Sequence, residues 1–381
     1  MAVRNFLGAA ARELSDAERL AWLQLIRTPN VGPASFFQLL DHCGSATDAL
    51  EALPELSRSG GRVKASNICS PAGAEAELAR AKRIGARLVA LCEDGYPQWL
   101  ALVDAPPPLL YLKGDAALAH RPMVGIVGAR NASAIGCKFA RQLAGELGEA
   151  GFAIVSGLAR GIDAAAHHAA LKSGTAAVVA GGIDVIYPPE HAELQKEIAA
   201  RGLLVSEQPP GFNPRGQDFP RRNRLISGMA LAVAVIEAAK RSGSLITARF
   251  AGEQGREVFA APGSPLDPRA AGTNGLLKDG AGLLTSAEDV ISALRPMLGD
   301  LETRIENNAE ETTTAEPARQ ANVDQPERNG VVEALGPAPV DIDELIRQTG
   351  LDASVVHIIL LELDLAGRLE RHGRQLVSLR D

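Results

Sequence analysis

From residue 123 onward the apolar residues fall into short unbroken runs, at 123–127, 152–156, 175–180, 203–206, 230–236 and 257–260. Alanine-rich stretches with helical periodicity separate them, at 133–149, 162–172, 190–200 and 244–254. A continuous apolar run bounded by turn residues predicts a strand buried on both faces. Alternation of such runs with amphipathic helices predicts a parallel sheet with helices on either side. The expected fold class is therefore α/β, a Rossmann-like doubly wound and mostly parallel sheet over residues 119–299.

The flanking segments follow other patterns. Leu20, Leu23 and Ile26 recur at helical spacing beside Trp22, with Asp16 as the expected cap. A turn at Thr28-Pro29-Asn30-Val31-Gly32-Pro33 then leads to a second helix carrying Phe36, Phe37, Leu39 and Leu40. A helix, a tight glycine hairpin and a helix resemble small modules that bind DNA backbones, and a plain αα-corner fits the same pattern. This gives an N-terminal helical domain over 1–60. Residues 61–118, rich in Ala, Pro and Gly, are expected to be an extension leading into the core. Residues 300–330 are nearly free of large apolar side chains and cannot bury a core, so an acidic disordered linker is expected there. Periodicity returns over 331–381, where helices near 341–349 and 353–366 precede two strand-like runs. Two helices and a two-stranded wing predict a winged-helix module.

Charge changes the picture only through its distribution. The chain carries a net charge of −7. By count, residues 300–330 hold three Arg against eight acids, and 331–381 hold five Arg against nine, so 1–299 are mildly positive. Such a balance fits a local phosphate-binding surface on the sheet domain. The winged helix, net acidic and without lysine, is poorly suited to gripping phosphates, and a protein contact is an equal reading. Cys43, Cys69, Cys92 and Cys137 are scattered, and the histidines show no metal-ligand spacing, so neither a disulfide framework, a metal nor another cofactor is expected. No apolar run of membrane-spanning length occurs, and the N-terminus makes a poor signal peptide, so a cytoplasmic protein is expected.

Parallel α/β sheets bind ligands at the carboxyl ends of their strands. The segments at those ends are Gly128-Ala129-Arg130, Ser156-Gly157 through Arg160-Gly161-Ile162-Asp163 with His167, and Gly181-Gly182-Ile183-Asp184 before Tyr187-Pro188. Next come Glu207, then Phe219-Pro220-Arg221-Arg222-Asn223-Arg224, then Glu237 through Lys240-Arg241-Ser242-Gly243-Ser244, and finally Thr273-Asn274. Glycine turns let backbone amides approach an anion. Three arginines in four positions beside a ring suit phosphates and a base, while a solvated helix start with salt bridges is the bland alternative. Asp163, Asp184, Glu207 and Glu237 are the candidates for acid–base work, but no nucleophile–base arrangement accompanies them.

These motifs resemble the family of DNA-processing protein A (DprA/Smf), in order over residues 105–295, with the hairpin and the winged helix similar to that family's flanking domains. The resemblance implies a cytoplasmic homodimer that binds single-stranded DNA, protects incoming strands and loads RecA recombinase during natural transformation, without catalysis. It implies that Gly128, Ala129, Arg130, Ser156, Gly157, Phe219, Arg221, Arg222, Asn223 and Arg224 form the DNA site, with Arg160 and Lys240 as additions. Asp163, His167, Asp184, Glu237, Thr273 and Asn274 are structural motif positions. Ala129 stands where a hydroxyl residue is usual, and His191 where asparagine is common. The alternative is an enzyme of the lysine-decarboxylase-like group that cleaves nucleoside monophosphates. That group's full Pro-Gly-Gly-x-Gly-Thr turn is missing here, and only Ala180-Gly181-Gly182 is present.

Overall fold

The structure is a computed structural model that describes residues 12–61, 67–307, 323–372 and 375–380. It divides into two compact units. One draws on residues within 1–76, 104–108 and 312–381, the other on 77–103 and 109–311.

The first unit opens with α1 (Asp16–Arg27), α2 (Pro33–Cys43) and α3 (Ala46–Ser59). Ser15, not Asp16, caps α1: its hydroxyl accepts the Glu18 N–H at 3.3 Å, while the Glu18 carboxylate accepts the Ser15 N–H at 2.9 Å. This reciprocal box satisfies two end donors at once, and Asp16 becomes the first helical residue. Trp22 meets Phe36 edge-on with centroids 5.0 Å apart, and Phe36 meets Phe37 at 5.3 Å. The three rings form the small core that the helical pattern anticipated.

After α4 (Pro71–Arg83) the chain enters a nine-stranded sheet. Its strands are β1 (Arg87–Ala90), β2 (Leu109–Gly114), β3 (Met123–Gly128), β4 (Ala153–Ser156), β5 (Thr175–Val178), β6 (Leu203–Ser206), β7 (Ala232–Ile236), β8 (Glu257–Ala260) and β9 (Gly282–Leu283). The order is β1-β2-β6-β5-β4-β3-β7-β8-β9. From β6 to β9 every pairing is parallel, and β1 and β2 add an antiparallel edge. The helices between are α5 (Gln98–Ala101), α6 (Ala134–Glu149), α7 (Ile162–Ala170), α8 (Ala192–Arg201), α9 (Asp218–Met229), α10 (Gly243–Glu253), α11 (Ala271–Lys278) and α12 (Ala287–Asn307). Leu143 and Leu147 of α6, with Val290 and Leu294 of α12, pack on Val124, Ile126 and Ile154. Leu194 and Ile198 of α8 pack with Tyr111, Ala177 and Leu204. The α9 helix buries Leu225, Ile226 and Met229 and contacts β3, β4 and β5. Among the described residues no helix is long and apolar enough to cross a membrane.

Two sequence expectations need correction. Residues 61–118 are not merely an extension, because β1 and β2 lie in them and join the sheet. The run Leu109-Leu110-Tyr111-Leu112 is fully buried, and the three prolines before it obscured a strand. The arginine-rich segment lies toward the start of α9, as the helix-start reading of it requires. The linker expected over 300–330 is shorter. Helix α12 continues to Asn307, and α13 (Gln325–Ala334) begins inside the interval. A second capping box, Asp324 with Glu327, opens α13, and Val331 anchors it. The remainder, 308–322, lies outside the described residues.

The C-terminal module consists of α13, β10 (Val340–Asp341), α14 (Ile342–Thr349), α15 (Ala353–Leu365), β11 (Leu369–His372) and β12 (Leu376–Leu379). Its antiparallel order is β10-β12-β11. It is a winged helix with three helices and three strands, one of each more than the sequence suggested. Val331, Leu345, Val356, Ile359, Leu360 and Val377 fill its core.

One buried group links the sheet to pH. His167 on α7 is fully buried, with Nδ1 2.7 Å from the Thr175 hydroxyl, which itself donates to the Ile154 carbonyl at 3.0 Å. The shared proton therefore sits on Nδ1. His167 Nε2 has no hydrogen-bond partner among the described residues. Burial, reinforced by His168, His191 and Arg222, holds the imidazole down at about 3. Above the unfolded value near 6.5 both states are neutral and the group has no effect on stability. Between there and 3 only the unfolded chain takes up the proton, so stability falls as pH falls. From pH 7 to pH 5 the expected loss from this group is about 2 kcal/mol. His167→Gln should flatten urea-unfolding free energies over that interval by a comparable amount; equal slopes in both proteins would refute the assignment.

Candidate nucleic-acid interface

The parallel sheet reverses its winding between β3 and β7, which pair from Val124↔Ala232 to Gly128↔Ile236. The crevice outside these strand ends is where such sheets bind ligands. Helix α9 delivers the arginines to it. Successive helical residues project about 100° apart, so adjacent arginines meet different surroundings. Arg221 is exposed, Arg222 is buried, and Arg224 is half-buried. Arg224 forms a two-point ion pair with Glu207, at 2.6 and 2.7 Å. It is a brace between α9 and the end of β6 rather than a free phosphate ligand.

Arg222 forms the floor. It is 7% exposed. Its Nη1 donates to the carbonyls of Gly157, at 2.7 Å, and Val178, and its Nε donates to Asn223 Oδ1 at 3.3 Å. Asp163, also buried, accepts the N–H groups of Gly157 and Ala159 at 3.1 and 3.3 Å. A Cβ at Gly157 would lie 2.7 Å from Arg222 Nη2 and 2.9 Å from Asp163 Oδ2, so only glycine lets guanidinium and carboxylate approach one another here. Burial raises the Asp163 pKa, and attraction to Arg222 opposes it. Burial likewise lowers Arg222 to about 10, which leaves it charged at neutral pH.

The other turns repeat the device. The Glu237 carboxylate accepts both the N–H and the hydroxyl of Ser133, and the Ser133 hydroxyl accepts the Gly136 N–H at 2.9 Å. Glu237 sits at φ 53°, a strained value for a side chain other than glycine. Asp184 accepts the Gly211 N–H at 2.6 Å and pairs with Arg80 at 3.1 Å. The side-chain amide of Asn274 holds both backbone groups of Gly263, at 2.9 and 3.1 Å, and the Thr273 hydroxyl donates to the Ala270 carbonyl. The expectation that glycine-turn amides cradle an anion is therefore corrected at these turns. Internal oxygens already take the N–H groups of Ser133, Gly136, Gly157, Ala159 and Gly211. Gly128 serves packing, since a Cβ there would strike Ile162 at 2.6 Å. Ser156 is buried, with its hydroxyl donating to the Ile126 carbonyl at 2.6 Å. These bonds also occupy the carboxylates that the sequence offered for acid–base work.

What remains open to a ligand is a rim of side chains. The Phe219 ring lies 5.0 Å from Tyr187 and 5.4 Å from the Arg130 guanidinium carbon. This ridge borders two cavities. The smaller, about 370 Å³, is lined by Arg130, Asn131, Arg160, Tyr187, Phe219 and Arg222 among others. The larger, about 850 Å³, shares Arg130, Phe219 and Arg222 and adds Ala129, Asn223, Arg241 and Ser242. Arg130, Arg215, Arg221, Lys240 and Arg241 are exposed and form no ion pair among the described residues. Arg160 is less available, because Glu190 pairs with it. Sequence reasoning missed Tyr187 and Asn131 as site residues. The signal for Tyr187 was an aromatic following a glycine strand end.

A model of the DNA recombination-mediator protein A family matches residues 87–295. The chain belongs to the DprA family. Models of the DprA-like N-terminal HHH domain and the DprA winged helix domain match residues 16–85 and 315–373. Protein Smf of Synechocystis sp. is 32% identical over 390 residues, 93% of this chain and 97% of the relative. DNA processing protein DprA of Bacillus subtilis is 43% identical over 220 residues, 57% of this chain and 74% of the relative. The X-ray structure of DprA from Streptococcus pneumoniae aligns with a TM-score of 0.61 at 34% identity, covering 74% of this chain and 98% of that one. Helicobacter pylori DprA, whose structure describes a single-stranded DNA binding mode, aligns at 0.51 and 31% identity, covering 56% and 96%.

The DprA core thus sorts its arginines by burial, and stability measurements can check the sorting. Arg222→Ala and Asp163→Ala each break a buried charge arrangement and should cost about 3–5 kcal/mol in chemical denaturation. Arg221→Ala should stay within about 0.5 kcal/mol of the parent.

Proposed function

We propose that this chain binds single-stranded DNA along the carboxyl ends of β3, β4, β5 and β7, protects it and passes it to a RecA-type recombinase, acting as a cytoplasmic homodimer and not as an enzyme. The observation that carries the reading is the Tyr187–Phe219–Arg130 ridge between two cavities, flanked by exposed and unpaired cations. Rings stack on any base, and cations follow the backbone. A duplex keeps its bases stacked inside, so this ridge favours unpaired strands.

Phosphates are held by Arg130, Arg221, Lys240 and Arg241 rather than by backbone amides. Arg222 contributes a fixed positive floor, and Asn223 holds the entrance of α10 through the Gly243 carbonyl at 3.2 Å. Kinship with the Helicobacter pylori protein supports single-strand binding, and the recombination-mediator family supports transfer to a recombinase. Two protomers bridging one strand would gain avidity that a short single site lacks.

Fluorescence anisotropy on oligonucleotides tests the reading. The full chain should prefer single strands over duplex, with affinity falling as salt rises. Arg130→Ala should weaken binding across sequences and flatten the log–log salt slope by about 0.7. Phe219→Ala should cost about 1–3 kcal/mol with little change in that slope. Unchanged affinity and slope in Arg130→Ala would remove the rim from consideration.

A further inference from the structure

Helix α15, the third helix of the winged-helix module, is buried on two sides. Val356, Ile359, Leu360 and Leu363 face the module's own core. Leu361, Glu362 and Leu365 are 2%, 2% and 1% exposed, yet they lie outside that cluster. Helix α15 packs on α2 and α3 of the N-terminal helical domain, within the same compact unit.

Four contacts define this seam. Gly60, the residue after α3, lies against the Glu362 carbonyl so closely that any Cβ would collide with it. Arg368 Nη1 donates to the Gly60 carbonyl at 3.1 Å. Asn30, in the glycine hairpin, donates from Nδ2 to the Leu365 carbonyl at 3.1 Å. Arg371 Nη2 donates to Gln38 Oε1 at 3.0 Å.

The third helix is the element with which helix-turn-helix modules enter a DNA groove. Here that helix carries no lysine or arginine. Its buried Glu362 is neutralised within the module by Arg328, whose Nε and Nη2 each donate at 2.7 Å. A groove-reading face needs cations for phosphates and polar groups for base edges. This face offers Leu361 and Leu365 instead.

We propose that the winged helix of this chain is a protein-docking module whose third helix is reserved for the N-terminal helix–hairpin–helix domain, so that this helix and the Asn30 hairpin cover each other and neither contacts nucleic acid. The inference does not depend on where the sheet domain binds DNA.

Hydrogen–deuterium exchange on the full chain tests it, alone and with an oligothymidylate or a mixed-sequence duplex. Residues 357–366 should exchange slowly, and neither nucleic acid should slow them further. Gly60 has right-handed backbone angles, φ −70° and ψ −2°, so Gly60→Leu strains the seam and not its own turn. This variant should speed exchange over 357–366 at least tenfold, and also over 28–33, with the central strands unchanged. Arg368→Ala, which removes one hydrogen bond, should act in the same direction with a smaller effect. Protection of 353–366 by either nucleic acid would overturn the proposal, as would exchange unaffected by both variants.

Discussion

Asp163 and Arg222 face one another beneath the strand ends, and the mouth of the sheet depends on this pair. The carboxylate closes the Gly157 turn by accepting two N–H groups, and the guanidinium ties that turn to β5 through the Val178 carbonyl. Each charge is costly to bury alone, and each is compensated by the other and by backbone dipoles. The pair fixes a hard floor, on which the aromatic ridge and the exposed cations rest.

The same economy recurs around the rim. Glu237, Asp184 and Asn274 each satisfy backbone groups of a neighbouring turn. Turns that looked like empty anion cradles are closed internally, so on the proposed reading charge recognition falls to long side chains at the surface. Such a site tolerates variation in where each phosphate lies, which suits a flexible strand better than a single fixed nucleotide.

The sheet was legible because buried parallel strands write unbroken apolar runs, and all six expected runs coincide with strands to within two residues at either end; the run at 230–236 starts two residues before β7. The glycine turns were also found at the strand ends. Their role was not legible, because a turn whose amides are free and one whose amides bond to a distant carboxylate read alike in sequence. Ser133 and Glu237 are far apart along the chain and meet only in the fold. The three arginines were recognised as a group and a helix start was one reading of them, but their separate fates follow from helical projection. Pro220 sits in the first turn of α9, where its missing N–H costs nothing.

The sheet's two edges carry one further consequence. One ends in β9, of two residues, and the other in β1, of four. Neither presents a ladder of open backbone groups long enough to recruit a foreign strand. Any association between copies of this chain through this sheet domain would therefore rest on side-chain packing between finished surfaces, which can form and dissolve without unravelling the fold, rather than on fusing two sheets into one.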